Sequence, residues 1–204
     1  MSWVDAVALN LGSDAIARVA GFEDGAEAFA VVREKGSFSW EPEGGVPEGF
    51  ELAGGGLPGR MGRLLANLRF DQVLPLDGVE LPESPAHQIE ATTFDGLIVR
   101  ARAYEPVDVD PEAAEDPEAA QNNEQLWLTL ELSLPDPLPE DPTAVQEQFE
   151  QHAKGQEDWL YRIDTFSAGG MRIRGDQFFI EIETEEDLEA TGEVVGPELE
   201  PTDG

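Results

Sequence analysis

The stretch that most limits what this chain can become is Leu126-Trp127-Leu128-Thr129-Leu130-Glu131-Leu132-Ser133-Leu134, in which five leucines alternate with Trp127, Thr129, Glu131 and Ser133. A period of two places one set of side chains on each face of a strand. On a helix the same spacing would scatter the leucines around the whole cylinder. The run therefore predicts a strand whose leucine face must be covered by other parts of the chain.

A second strand pair can be read down to its register. Residues 87 to 104 form a hairpin around Phe94-Asp95-Gly96. A two-residue Asp95-Gly96 turn would put Ile89 and Ala91 on the same face as Arg100 and Arg102. A three-residue loop with Gly96 left-handed as a bulge sets Thr93 opposite Leu97, Ala91 opposite Val99 and Ile89 opposite Ala101. Glu90 then faces Arg100 on the other side, an opposite-charge pair worth roughly 0.2–1 kcal/mol. A one-residue slip reverses every side chain, so the bulged register is predicted. The leucine strand then lies beside residues 97–104 as the third strand of a meander.

The remaining elements follow from the same periodicities. Residues 3–11 alternate loosely, Ile16–Phe22 and Ala28–Arg33 read as strands around a Glu23-Asp24-Gly25 turn, and Phe38-Ser39-Trp40 alternates before Pro42 stops pairing. Residues 42–56 read as a Gly/Pro-rich loop. Leu57, Met61, Leu64, Leu65 and Leu68 fall on one helical stripe with Pro58 at its start, and Arg60, Arg63 and Asn67 lie off it. Phe70–Leu74 reads as a short strand ending at Pro75. Asp141-Pro142 begins a second helix whose stripe is Val145, Phe149, His152 and Ala153, with Lys154-Gly155 at its end. Trp159–Ile163 returns as a strand. Residues 166–179 are ambiguous, because three glycines weaken a helix. Residues 105–124, with a tandem Asp-Pro-Glu-Ala-Ala, read as a solvated loop, and residues 181–204 as an acidic disordered tail. The expectation is an α+β domain over residues 1–180: antiparallel meanders with two amphipathic helices packed on the sheet. Two β-rich halves, 1–75 and 85–180, are an alternative division.

The chain carries 44 acidic and 12 basic residues among its 204, a net charge of −32, and only Lys35 and Lys154 are lysines. That charge repels nucleic acid phosphates and anionic lipid heads, so neither is an expected partner. An acidic, lysine-poor surface suits saline surroundings, where screening blunts self-repulsion. With no cysteine, disulfides and thiolate metal sites are ruled out, and either the cytoplasm or a bacterial envelope is compatible. No run of about 18 apolar residues occurs, and no signal peptide is recognisable at Met1-Ser2-Trp3.

Motifs that could carry chemistry are few. Gly54-Gly55-Gly56-Leu57-Pro58-Gly59 matches Gly-x-Gly-x-x-Gly before a helix, with Asp71 or Asp77 placed for a ribose contact. Only Phe50-Glu51-Leu52-Ala53 is available as the preceding strand, and no run of βαβ units surrounds it. Asp108-x-Asp110-x-Glu112 resembles the start of a calcium loop, but Ala113 and Ala119 stand where glycine and glutamate are needed. His87 and His152 are the only histidines, and no nucleophile–base motif accompanies them. Arg100, Arg102, Arg162, Arg172 and Arg174 read first as partners of neighbouring acids on the wet face of a sheet, and second as a basic groove. Arg60 and Arg63 carry the same two readings. Trp127, Trp159 and Tyr161 are expected beneath the second helix rather than on an exposed platform.

Several segments together resemble a bacterial family of domains of unknown function encoded beside gliding-motility-type ABC transporter genes. They are Arg33-Glu34-Lys35-Gly36-Ser37-Phe38-Ser39-Trp40-Glu41-Pro42, Leu64-Leu65-Ala66-Asn67-Leu68, Thr93-Phe94-Asp95-Gly96-Leu97, Leu126-Trp127-Leu128 and Asp158-Trp159-Leu160-Tyr161-Arg162-Ile163, in order over residues 15 to 180. The resemblance implies an envelope-facing, mostly β domain, tethered by an N-terminal apolar helix that these 204 residues lack, and no catalytic residues. The favoured expectation is a non-enzymatic accessory domain of a periplasmic or envelope complex, with a protein partner and no cofactor or metal. The alternatives are a nucleotide-binding enzyme using Gly54–Gly59 and an acidic small-molecule or cation-binding module.

Overall fold

The computed structural model describes residues 7–105, 126–153, 156–163 and 165–182. The protein has an α+β fold built on one antiparallel sheet. The strands in chain order are β1 (Val7–Asn10), β2 (Ile16–Glu23), β3 (Ala26–Val32), β4 (Glu41–Pro42), β5 (Phe50–Leu52), β6 (Asn67–Pro75), β7 (His87–Thr93), β8 (Ile98–Tyr104), β9 (Leu126–Ser133), β10 (Trp159–Ile163) and β11 (Phe179–Glu181). The helices are α1 (Leu57–Gly62), α2 (Thr143–His152) and α3 (Thr165–Met171). Nine strands form the main sheet in the order β1-β6-β10-β9-β8-β7-β2-β3-β4, and β5 and β11 form a separate two-stranded ribbon.

That order forces the sheet to curl. β1 and β2 lie six positions apart, which on a flat sheet is roughly 29 Å at the usual strand spacing. Yet Asn10 and Ile16 are joined by a link that spans at most roughly 22 Å when fully extended, and a turn from Ala15 N–H to Gly12 O at 3.2 Å shortens it. The sheet therefore bends round until β1 approaches β2, and its concave face encloses the core.

The leucine strand sits in the middle of that wall. Leu126, Leu128, Leu130 and Leu132 are buried, whereas Thr129, Glu131 and Ser133 are only partly covered. β9 pairs with β8 through Ala101–Leu130 and Ala103–Leu128, and with β10 through Tyr161–Leu128. The β7–β8 hairpin has the bulged register: Ala91 faces Val99, Ile89 faces Ala101 and Glu90 faces Arg100. Gly96 has φ of 98°, which explains why the loop needs glycine there. Thr93 N–H donates to Leu97 O, and the Thr93 hydroxyl accepts from Leu97 N–H.

The concave core runs from Leu9 and Leu68 through Ile89, Val99 and the β9 leucines to Val19, Val31 and Trp40. α2 closes part of it with Val145, and Phe149 and Ala153 pack alongside. Asp141 accepts from Thr143 N–H at 3.1 Å at the start of this helix. On the convex face Leu74, Tyr104, Trp127 and Leu160 form a second, smaller core under Leu76, Val79 and Leu81.

Several expectations are corrected. Met61, Leu64, Leu65 and Leu68 of the stripe are buried and Leu57 is partly covered, but the helix ends at Gly62 and β6 already begins at Asn67. Apolar residues at helical spacing here line a short helix, a turn and a strand that converge on one core. The close approach of Trp40 sets this up, because a Cβ on Gly62 would lie 2.1 Å from the Trp40 ring. Phe38-Ser39-Trp40 is not a strand, and Pro42 pairs with Val31 on the outermost strand instead of ending pairing. An edge strand tolerates proline because its outward N–H has no partner to lose. The loop at 42–56 holds β4 and β5. The ambiguous stretch resolves into α3, a short 3-10 turn at Gly175–Gln177 and β11. Gly170 permits that helix to press on the α1 turn, since a Cβ there would meet Leu64 at 2.6 Å. Glu181 belongs to β11, while the rest of the acidic tail, the tandem Asp-Pro-Glu-Ala-Ala, the calcium-like Asp108–Ala119 segment and Lys154-Gly155 lie outside the described residues.

Candidate functional site

The convex face of the sheet gathers three of the arginines singled out above, Arg100, Arg102 and Arg162. Arg100 donates to Glu90 at 2.6 Å and approaches Glu131 at 3.6 Å, and Arg102 pairs with Glu131 at 2.9 Å. Arg18 binds Glu43 at 2.6 Å and also Glu27. Glu43 is held below the usual carboxylate range by the hydrogen bond from Arg18. Arg162 is buried; its Nε donates to Asp71 at 2.7 Å and its guanidinium lies 6.0 Å from the Trp127 ring. These cations are absorbed by the fold's own acids, the first of the two readings. Arg60 and Arg63 are exposed on and just after α1.

The three aromatic residues expected together beneath α2 are separated. Trp127 is in the convex cluster and Tyr161 in the concave core, where its ring lies tilted against Phe70 with centroids 5.3 Å apart and its hydroxyl donates to Gln156 at 2.8 Å. Trp159 begins β10 in an exposed position. Adjacent residues of a strand point to opposite faces, so Trp127 cannot join the leucines under α2.

His87 opens β7 at the mouth of a cleft of about 570 Å³ between the β2–β3 turn and the segment after α3. Phe22, Phe29, Ile89, Met171 and Ile173 supply its apolar wall. Arg174 and Gly175 N–H both reach the Glu23 carboxylate at 3.3 Å, tying the turn to the far wall. Burial, and then the positive charge of Arg172, push the His87 imidazole below its ordinary pKa, with Glu105 opposing and Arg174 adding to the shift. Both effects favour the neutral imidazole, which makes no hydrogen bond among the described residues. His152 on α2 is half-buried, and burial lowers its pKa too. The two histidines stand on different elements, and neither donates a hydrogen bond to a carboxylate among the described residues.

The glycine loop is built differently from a dinucleotide site. The strand before it, β5, has three residues and runs antiparallel to β11. Gly55 and Gly56 have φ of 85° and 63°, and α1 after them is only six residues long. Asp71 is committed to Arg162, and Asp77 lies in a shallow crevice with Glu157 and Asp158. No helix among the described residues is long and apolar enough to cross a membrane, and no cluster of three or more potential metal ligands occurs among them.

What the sequence reading missed is the β5–β11 ribbon. Phe50, Leu52, Ile180 and Ile182 are 40%, 42%, 48% and 48% exposed, half of the large apolar side chains that stand exposed among the described residues. The signal was present in Phe50-x-Leu52 and Phe178-Phe179-Ile180-x-Ile182. Three-residue strands leave too short a pattern to separate from loop, and nothing local says that residue 52 meets residue 179. Compared with protein-family models, with curated proteins and with solved structures, the chain finds no match.

Proposed function

We propose that this protein is a non-enzymatic interaction domain of a bacterial cell-envelope complex, associated with an ABC transporter and working through a protein partner. The observation that carries the reading is the fate of its cations. Arg18, Arg100, Arg102, Arg162 and Arg174 are each bound to a carboxylate of the fold. With 44 acidic residues against 12 basic ones, the chain is left strongly negative on balance, at −32. Such a field steers cationic partners in and holds anionic ones off. The envelope and the transporter rest on the resemblance of residues 15 to 180 described above.

Cross-linking in the producing cells tests this. The expected result is one envelope polypeptide joined to the domain beyond what an equally acidic control protein captures, with the complex weakened at molar salt, where screening shortens to about 3 Å. Turnover of a small-molecule substrate that a single substitution abolishes would contradict it.

A further inference from the structure

We propose that the open edge of the β5–β11 ribbon takes up a cationic, amphipathic extended segment of a partner protein as an added third strand. The inference rests on the interaction-domain reading above and names where and what that domain binds.

The ribbon is anchored at one end. Phe178 is buried in the concave core with its ring tilted against Phe29, centroids 5.1 Å apart, and Phe179 packs partly against the same core. Beyond that anchor, Ile180 and Ile182 on one strand and Phe50 and Leu52 on the other are exposed. Apolar side chains concentrated in this way mark interaction surfaces.

The backbone of the ribbon is open as well. Ala53 N–H donates to Phe178 O at 2.8 Å and Ile182 N–H to Gly49 O at 2.9 Å. In an antiparallel pair, bonded and non-bonded positions alternate. With Leu52 opposite Phe179 and Phe50 opposite Glu181, those two pairs are the non-bonded ones, so their peptide groups point away from the ribbon. On β5 the outward N–H of Phe50 is already used by Pro47 O at 3.1 Å. On β11 the N–H and C=O of Phe179 and Glu181 have no partner among the described residues. β11 is therefore the edge that can accept a strand, a recognition mode in which main-chain bonds give affinity and alternate side chains give selectivity.

Charge fixes the chemistry of the occupant. Glu48, Glu51 and Glu181 lie on or beside the ribbon, and the chain as a whole carries −32. A second copy of this chain would bring the same charge and be repelled, as would an anionic membrane. Beside β11, a segment alternating valine-like residues with lysine or arginine sets its apolar side chains on the face of Ile180 and Ile182 and its cations on the face of Glu181.

The test uses the full chain and a short fluorescent peptide of alternating valine and lysine, read by anisotropy. Binding that weakens as salt rises is expected. Two variants, Glu181→Pro and Ile180→Ser, are each expected to lose roughly tenfold or more in affinity. Glu181→Pro removes an outward N–H that the ribbon's own ladder does not use, so an unchanged melting temperature shows that the fold is intact. A valine–glutamate peptide is expected not to bind. Equal affinity of a folded Glu181→Pro protein and the parent would overturn the proposal, because the attraction would then be diffuse. So would no binding of the valine–lysine peptide, or dimers in sedimentation equilibrium that the same substitutions dissolve. If the ribbon fails while an envelope cross-link survives Glu181→Pro, the interaction reading stands and only this site is lost.

Discussion

The β7–β8–β9 meander and the β5–β11 ribbon are both antiparallel and both mix apolar with acidic residues, yet they end in opposite situations. In the meander the three strands agree on one apolar face, so Ala91, Val99, Leu130 and their neighbours are covered together, and only Tyr104 and Trp127 at one end pack on the other side. The charged set, Glu90, Arg100, Arg102 and Glu131, shares the other and neutralises itself. In the ribbon, register puts Phe50 and Leu52 on one side and Ile180 and Ile182 on the other. One surface cannot cover both. Alternation builds a core only where several strands agree on which face it serves; two short strands that disagree leave an exposed, adhesive edge.

The comparison would break first at the centre of the sheet. Leu130 is fully enclosed, and Leu130→Ala is expected to cost about 2–5 kcal/mol in denaturant unfolding, as buried leucine truncations do. A loss below about 0.5 kcal/mol, the size typical of surface changes, would mean the leucine strand is not the organising element. At the rim of the same core Gly62→Ala forces the Trp40 ring to move, and a cost of about 1–3 kcal/mol with altered tryptophan fluorescence is expected. On the convex face a double-mutant cycle between Glu90 and Arg100, both partly screened by solvent, should return about 0.2–1 kcal/mol.

The pH dependence sharpens the contrast between the enclosed and open parts. His87 has a folded pKa below its ordinary value of 6.5. The unfolded chain then takes up the proton first, and stability from this site is complete above pH 6.5 and declines as pH falls toward the folded pKa. His87→Gln should therefore narrow the stability difference between pH 7.5 and pH 5.5, measured by urea unfolding, relative to the parent. The smallest effects are expected in the ribbon, where Leu52→Ser and Ile180→Ser should change stability by within about 0.5 kcal/mol while lowering adsorption to hydrophobic resin.

How far the fold was legible follows the same division. The hairpin register could be read because charge pairing and face separation both favoured one turn, and Gly96 supplied the backbone angle it required. β9 was legible from its own leucines. The α1–β6 region was not, because Leu64, Leu65 and Leu68 meet one core from a turn and a strand as well as they would from a helix. Gly170, which argued against a helix on propensity, is there to admit Leu64, a tertiary reason that no local pattern carries. The arginine pairs were foreseen as a class but not by partner: Arg162 and Asp71 are 91 residues apart. The ribbon joins residues 50–52 to 179–181, and a contact of that range leaves almost no trace in three-residue strands.

Residue-resolved hydrogen exchange on the free protein tests most directly the claim that one alternation is covered and the other left open. The amides of β8, β9 and β10 should exchange only through global unfolding, while the outward amides of Phe179 and Glu181 should exchange orders of magnitude faster and slow when the valine–lysine peptide is added. Phe179 and Glu181 amides as protected in the free protein as those of Leu128 and Leu130 would contradict it.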